Sequence, residues 1–170
     1  IDSLELFWGT PDVARQLELS ASAADFYGWL RTLTRASRNL RGSAFFSDLV
    51  ALGLRDEEVC AIGYFLLIAG QETTCQLIST IVMRTLADPQ RWRDVAASPR
   101  LARAAVDDAL REDSSVPTWR RTTLVPAQIG GVEVPAGASI LLRLTGTDAP
   151  ADLAFGIGVH RCLGARLARM

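Results

Sequence analysis

The stretch Phe155-Gly156-Ile157-Gly158-Val159-His160-Arg161-Cys162-Leu163-Gly164 decides how this chain is read. A cysteine stands where a glycine-laced loop is expected to run into a helix over Leu163 to Met170. The unpaired N–H groups and positive dipole end of a helix start favour an anion. A cysteine so placed favours its thiolate form, a soft metal ligand. Gly156 and Gly158 permit positive φ, so the backbone can approach a flat partner closely. Gly164 leaves the surface beside the sulfur bare for a large planar group, and Phe155 can cover the sulfur from water.

This segment resembles the cysteine-ligand signature of the cytochrome P450 enzymes, F-G-x-G-x-H-x-C-x-G, with every fixed position present. The resemblance implies that Cys162 is the proximal iron ligand of heme b (iron protoporphyrin IX). A thiolate there pushes electron density toward O–O cleavage. His160 would reach a heme propionate, and Phe155, Gly156, Gly158 and Gly164 would shape the seat around the sulfur.

Further toward the N-terminus, Ala69-Gly70-Gln71-Glu72-Thr73-Thr74 places an acid and hydroxyls in the middle of a long apolar helix. Buried polar groups need partners or cost about 1–3 kcal/mol each. A glycine within a helix costs roughly 1 kcal/mol relative to alanine. A helix weakened there has a groove beside it. The stretch resembles the family's A-G-x-[D/E]-T-[T/S] oxygen-activation motif. On that match Thr73 would hydrogen-bond dioxygen, Glu72 would relay protons, and Ala69 with Gly70 would leave space over the heme.

Between the two lies Asp108-Ala109-Leu110-Arg111, an acid and an arginine at i, i+3 on one helix face. It resembles the family's E-x-x-R pair, with a carboxylate one methylene shorter and a looser brace expected. Arg121 matches the family arginine that contacts a propionate. The motifs follow the family's order from about Leu6 to Met170.

Composition narrows the alternatives. The chain has 170 residues, is 49% hydrophobic and carries a net charge of −1, which points to one domain with no bias toward nucleic acid or anionic membrane. All 18 basic residues are arginine, so lysine Schiff-base chemistry and a P-loop lysine are excluded. The single histidine, His160, leaves neither a four-ligand zinc site nor a hydrolase triad with its own base. Cys60 and Cys75 lie about 22 Å apart along one helix and cannot pair. Three unpaired cysteines suit a reducing, cytoplasmic setting. Val59 to Ala69 reads as too short to cross a bilayer, so no membrane is expected.

Periodicity predicts helices over Pro11–Asn39, Phe45–Leu52, Asp56–Leu86, Arg91–Ala97 and Leu101–Arg111. Asp56 is expected to cap the third, and its apolar girth predicts a central buried helix. Arg31, Arg35, Arg38 and Arg41 form a basic stripe that reads as a solvated face, broken by Gly42-Ser43. Strands are expected over Thr122–Val125 and Gln128–Ile129, a turn at Gly130-Gly131, a return over Val132–Val134 and a third strand over Ser139–Leu144. The fold class is mainly α with a small antiparallel β-sheet, a partial cytochrome P450-like fold.

The family's chains are more than twice this length. The expectation is a single domain over residues 1–170, the C-terminal portion of that fold, with a segment missing near 146–147. The function implied is insertion of one oxygen atom from dioxygen into a small organic substrate, in secondary-metabolite tailoring. Reducing equivalents would come from a ferredoxin or flavodoxin, because no flavin or dinucleotide motif occurs. The rival is a heme-free scaffold of the same fold that stabilises a partner enzyme; the shortened acid at Asp108 favours it, and intact Cys162, Thr73 and Glu72 oppose it.

Overall fold

The computed structural model describes residues 2–39, 44–146 and 148–170. Arg41, Gly42, Ser43 and Thr147, on which the end of the basic stripe, its break and the missing segment were read, lie outside the described residues. The chain divides into two compact units, Ile1–Glu72 and Thr73–Met170.

The first unit is helical: α1 (Asp2–Trp8), α2 (Val13–Ser37), α3 (Phe45–Ala51) and the first half of α4 (Asp56–Leu86). The sequence reading passed over α1, which is tied to α2 by Arg15 Nη2 at 2.9 Å from Glu5 Oε2. Asp12 caps α2 by accepting from the Arg15 N–H at 2.8 Å. Leu19, Leu30, Val59 and Cys60 are buried, with Cys60 Sγ 3.4 Å from the Thr34 hydroxyl. Cys60 is thus an interior packing residue. Gly63 lets α3 approach α4, since a Cβ there would come within 2.8 Å of the Phe46 ring.

Asp56 does not cap α4. It is already the first helical residue, and its carboxylate accepts from Arg38 at 2.8 Å and 2.5 Å. The capping contact comes instead from Glu58, whose carboxylate accepts from the Arg55 N–H at 2.9 Å. Two members of the arginine stripe, Arg38 and, at 4.0 Å, Arg35, are therefore ion-pair partners of Asp56.

The second unit holds the rest of α4, then α5 (Pro89–Ala97) and α6 (Pro99–Glu112). Ser98 ends α5 and caps α6, with the Leu101 N–H 3.4 Å from its hydroxyl. Leu77, Ala109 and Leu110 form the core where α4 meets α6, joined by Ile81, Val106, Ala151, Ala154 and Phe155.

Among the described residues the β structure is two separate two-stranded antiparallel sheets. One pairs β1 (Thr118–Thr122) with β4 (Ser139–Arg143), Arg121 opposite Ile140. The other is the hairpin of β2 (Ala127–Ile129) and β3 (Val132–Val134). Gly130 and Gly131 take φ +58° and +82°, the two positive angles a tight I′ hairpin turn demands. The strand expected over Thr122–Val125 is thus misplaced: β1 lies earlier, and Leu124 and Val125 are exposed. Thr123 ends it by donating its hydroxyl to the Pro135 carbonyl at 2.6 Å and accepting from the Ala138 N–H at 3.0 Å.

The largest departure concerns α4. It spans 31 residues as expected, yet Phe65, Leu67, Ile78 and Met83 are exposed. Neighbouring elements bury a limited set of its side chains, and an all-round apolar helix has no pattern to say which. By length and composition α4 is also apolar enough to cross a membrane. The length argument against a bilayer therefore fails for the whole helix, and the argument that remains is the polar centre around Gln71 and Glu72.

Candidate functional site

The cysteine loop starts where the 3₁₀ turn Ala151–Phe155 ends. Gly156 follows at φ 69°, ψ 177°, a region essentially restricted to glycine. Its N–H donates to the Leu153 carbonyl at 2.9 Å. A second 3₁₀ turn, Gly158–His160, opens at φ +79° and closes with the Arg161 N–H donating to the Gly158 carbonyl at 3.1 Å. The Cys162 N–H then donates to the Phe155 carbonyl at 2.9 Å, drawing the two ends of the loop together. Local backbone bonds alone thus fix where the sulfur is carried.

Cys162 is exposed, and Ile157, Val159 and Leu163 beside it are 79%, 96% and 88% exposed. A Cβ at Gly164 would lie 3.7 Å from the Cys162 sulfur, an ordinary contact, so the chain's own packing does not demand a glycine there. The expected helix over Leu163 to Met170 is absent. Turns run from Leu163 to Arg166, followed by the 3₁₀ segment Leu167–Arg169. Ala165 alone is buried along it, so little packing offsets the cost of starting an α-helix there. The argument that a helix start favours an anion at Cys162 falls with that helix.

Phe155 fastens the loop to the rest of the second unit. Its ring packs against the Leu77, Ala109 and Leu110 core, and the Arg169 guanidinium lies 5.1 Å from the ring centroid. Arg169 Nε is 3.3 Å from Asp107, and its Nη1 pairs with Asp152. Sequence reasoning missed Arg169. Its signal was an arginine at the last turn of a segment read only as helix.

Thr73, Leu77, Ile81 and Arg84 fall at i, i+4, i+8 and i+11 and so share one stripe of α4. Leu77 and Ile81 on that stripe belong to the core that holds Phe155. Arg84 pairs with both Glu112 and Asp113 at the end of α6. Hydrogen bonding to Glu112, joined by Asp113, raises the Arg84 guanidinium further above its ordinary value. The fold therefore places Thr73 on the stripe of α4 that supports the cysteine loop. Thr73 is exposed, and its carbonyl accepts from the Ser115 hydroxyl at 2.6 Å.

Ala69, Gly70 and Glu72 lie on α4 within the first unit, all exposed. A Cβ at Gly70 would meet nothing within 4 Å. No internal neighbour explains a helix-weakening glycine at that point.

The Asp108–Arg111 pair forms at 3.4 Å despite the shorter acid. Asp108 is also 3.4 Å from Arg91 on α5, a partner that 17 residues of separation hid from the sequence reading. The backbone of Arg111 accepts from the Gly146 N–H at 2.8 Å, which links α6 to the chain leading into the cysteine loop. Arg121 lies exposed on β1, its Nη1 donating to the Arg120 carbonyl at 2.8 Å and its guanidinium 6.0 Å from the Trp119 ring centroid. His160 ends the second 3₁₀ turn, exposed.

No family model matches this chain. It is 33% identical over 175 residues to the vitamin D(3) 25-hydroxylase of Pseudonocardia autotrophica, across 89% of this chain and 43% of that one. It is 31% identical over 175 residues to cytochrome P450-SU2 of Streptomyces griseolus, across 90% of this chain and 43% of that one. Its structure matches cytochrome P450 CREJ in complex with (4-ethylphenyl) dihydrogen phosphate with a TM-score of 0.81 and 28% identity, across 99% of this chain and 47% of that one. The chain belongs to the cytochrome P450 family. It spans less than half the length of these P450 relatives. The cysteine loop, the acid–arginine pair and the α4 motif are thus parts of a P450 fold, mainly helical with small antiparallel sheets.

Proposed function

We propose that this P450 chain carries the heme-thiolate portion of a bacterial monooxygenase. The observation that carries the reading is the Cys162 thiol, exposed on a loop that backbone bonds hold and that also carries exposed apolar side chains. A thiol bordered by Ile157, Val159 and Leu163 suits a flat apolar group with one central metal, and suits a purely structural cysteine poorly.

Heme b, when bound, supplies the dioxygen chemistry that inserts one oxygen atom into a C–H or C=C bond and releases the other as water. The chain's own residues do the rest. Cys162 would offer its sulfur to the iron, and Phe155, Gly156, Gly158 and Gly164 would shape the surface around it. His160 and Arg121 hold the carboxylates of the group's edge. Glu72 and the Thr73 hydroxyl pass protons inward from water, while Ala69 and Gly70 keep the face of α4 clear. A small organic substrate, in secondary-metabolite tailoring, and electrons from a ferredoxin or flavodoxin in the cytoplasm complete the reading.

The test is optical. Purified protein, reduced and exposed to carbon monoxide, shows a strongly red-shifted Soret band if Cys162 ligates the metal as thiolate. Cys162→Ser abolishes that band. A colourless protein, or an unchanged spectrum in the variant, overturns the proposal and leaves the heme-free scaffold.

A further inference from the structure

The Ser115 hydroxyl donates to the backbone carbonyl of Thr73 at 2.6 Å, across 42 residues of sequence. Ser115 is half-buried in the bend that follows α6, and the bend is itself fixed. The Asp113 N–H donates to the Ala109 carbonyl at 2.9 Å, and the Val116 N–H lies 3.4 Å from the hydroxyl of buried Ser114. One end of the α4 stripe is therefore held by Arg84 against Glu112 and Asp113, its middle by Leu77 and Ile81, and its start by Ser115. A carbonyl oxygen has two lone pairs, so it takes the hydroxyl without surrendering its place in the helical ladder.

Just before the start of the stripe, α4 carries a residue that weakens a helix. Gly70 lies three residues earlier and finds no neighbour to pack against. We infer that Ser115 is a positioning residue: its hydrogen bond to the Thr73 carbonyl pins the peptide from which the Thr73 hydroxyl is presented. This inference rests on the proton-delivery role given to Thr73 above. The hydroxyl of a threonine moves with its own backbone, because it sits on Cβ and χ1 is restricted to two wells in a helix. Holding that peptide therefore fixes where a proton can be passed.

The intact heme-loaded protein is compared with Ser115→Ala, Ser115→Thr and Thr73→Ala. Hydrogen exchange is followed along α4 with and without heme. Separately, reduced protein is mixed with air-saturated buffer in H2O and in D2O, and its reoxidation is timed at the Soret band. Ser115→Ala should speed exchange by about 2–12-fold in the turn beginning at Thr73, the loss expected for one hydrogen bond. Exchange near Arg84 should not change. The solvent isotope effect should move toward that of Thr73→Ala, and Ser115→Thr should restore both readouts. Unchanged exchange at Thr73, or acceleration spread evenly along α4, overturns the inference. So does a local exchange change with an unmoved isotope effect, provided Thr73→Ala does move it. An isotope effect unmoved in Thr73→Ala defeats instead the proton-delivery reading and, with it, the role given to Ser115; the local exchange change would then persist without functional meaning.

Discussion

The cysteine loop and the middle of α4 are held by opposite means. The loop is short-range architecture: three backbone hydrogen bonds close it between Leu153 and Cys162, and glycines with positive φ make its bends. The middle of α4 is regular helix, and what distinguishes it comes from afar. Ser115 reaches its Thr73 carbonyl from 42 residues away, and Leu77 meets α6. A local device can be written as a motif in ten residues. A long-range device needs the fold to exist first.

Leu77→Ala tests the link between the two regions and carries the largest expected effect. Leu77 is buried in the core that also grips Phe155. The substitution should cost about 2–5 kcal/mol in denaturant unfolding and loosen the cysteine loop together with α4. A loss confined to α4, with loop exchange untouched, would show that the regions are uncoupled.

Glycine-to-alanine changes should then have opposite signs in the two regions. Gly156→Ala forces a Cβ into backbone angles reserved for glycine and should destabilise by about 1–3 kcal/mol. Gly70→Ala meets no atom within 4 Å and should stabilise the heme-free protein by up to about 1 kcal/mol. On our reading it should also weaken heme retention, measured by titrating heme into the apoprotein. Equal signs in unfolding would break the contrast between strained loop and regular helix.

The smallest effect is the response to acid. Hydrogen bonding from Arg55 holds the Glu58 carboxyl below the usual carboxylate range. A depressed folded value means the contribution is present above the unfolded value and is lost as pH falls through the folded one. Lowering the pH below about 4 should therefore reduce amide protection, relative to the intrinsic exchange rate at each pH, in the first turn of α4 and leave the cysteine loop's backbone bonds alone. Glu58→Gln should reduce the pH dependence of that first turn, leaving the part carried by Asp56.

The motif residues were legible because their chemistry is local. Cys162 between spaced glycines, Asp108 one turn from Arg111, and Thr73 after Glu72 each need only their own segment to be recognised. The post-cysteine helix was misread because a few residues with helical propensity do not make a helix without a surface to pack on. The strand after Pro117 was displaced because apolar character at Leu124 and Val125 says nothing about which residues find a partner strand. Arg91, Ser115 and Arg169 stayed hidden because each acts on a residue that no periodicity connects to it.

Sequence alone determined the succession from α2 to α6, the tight hairpin at Gly130-Gly131 and the cysteine-bearing loop, since turn angles and helical spacing are properties of neighbouring residues. Tertiary structure alone decided which side of α4 is covered, which strand β4 joins and which side chains brace Thr73 and Phe155. Those choices depend on distant surfaces meeting, and an all-round apolar helix or a lone serine carries no record of what it will meet.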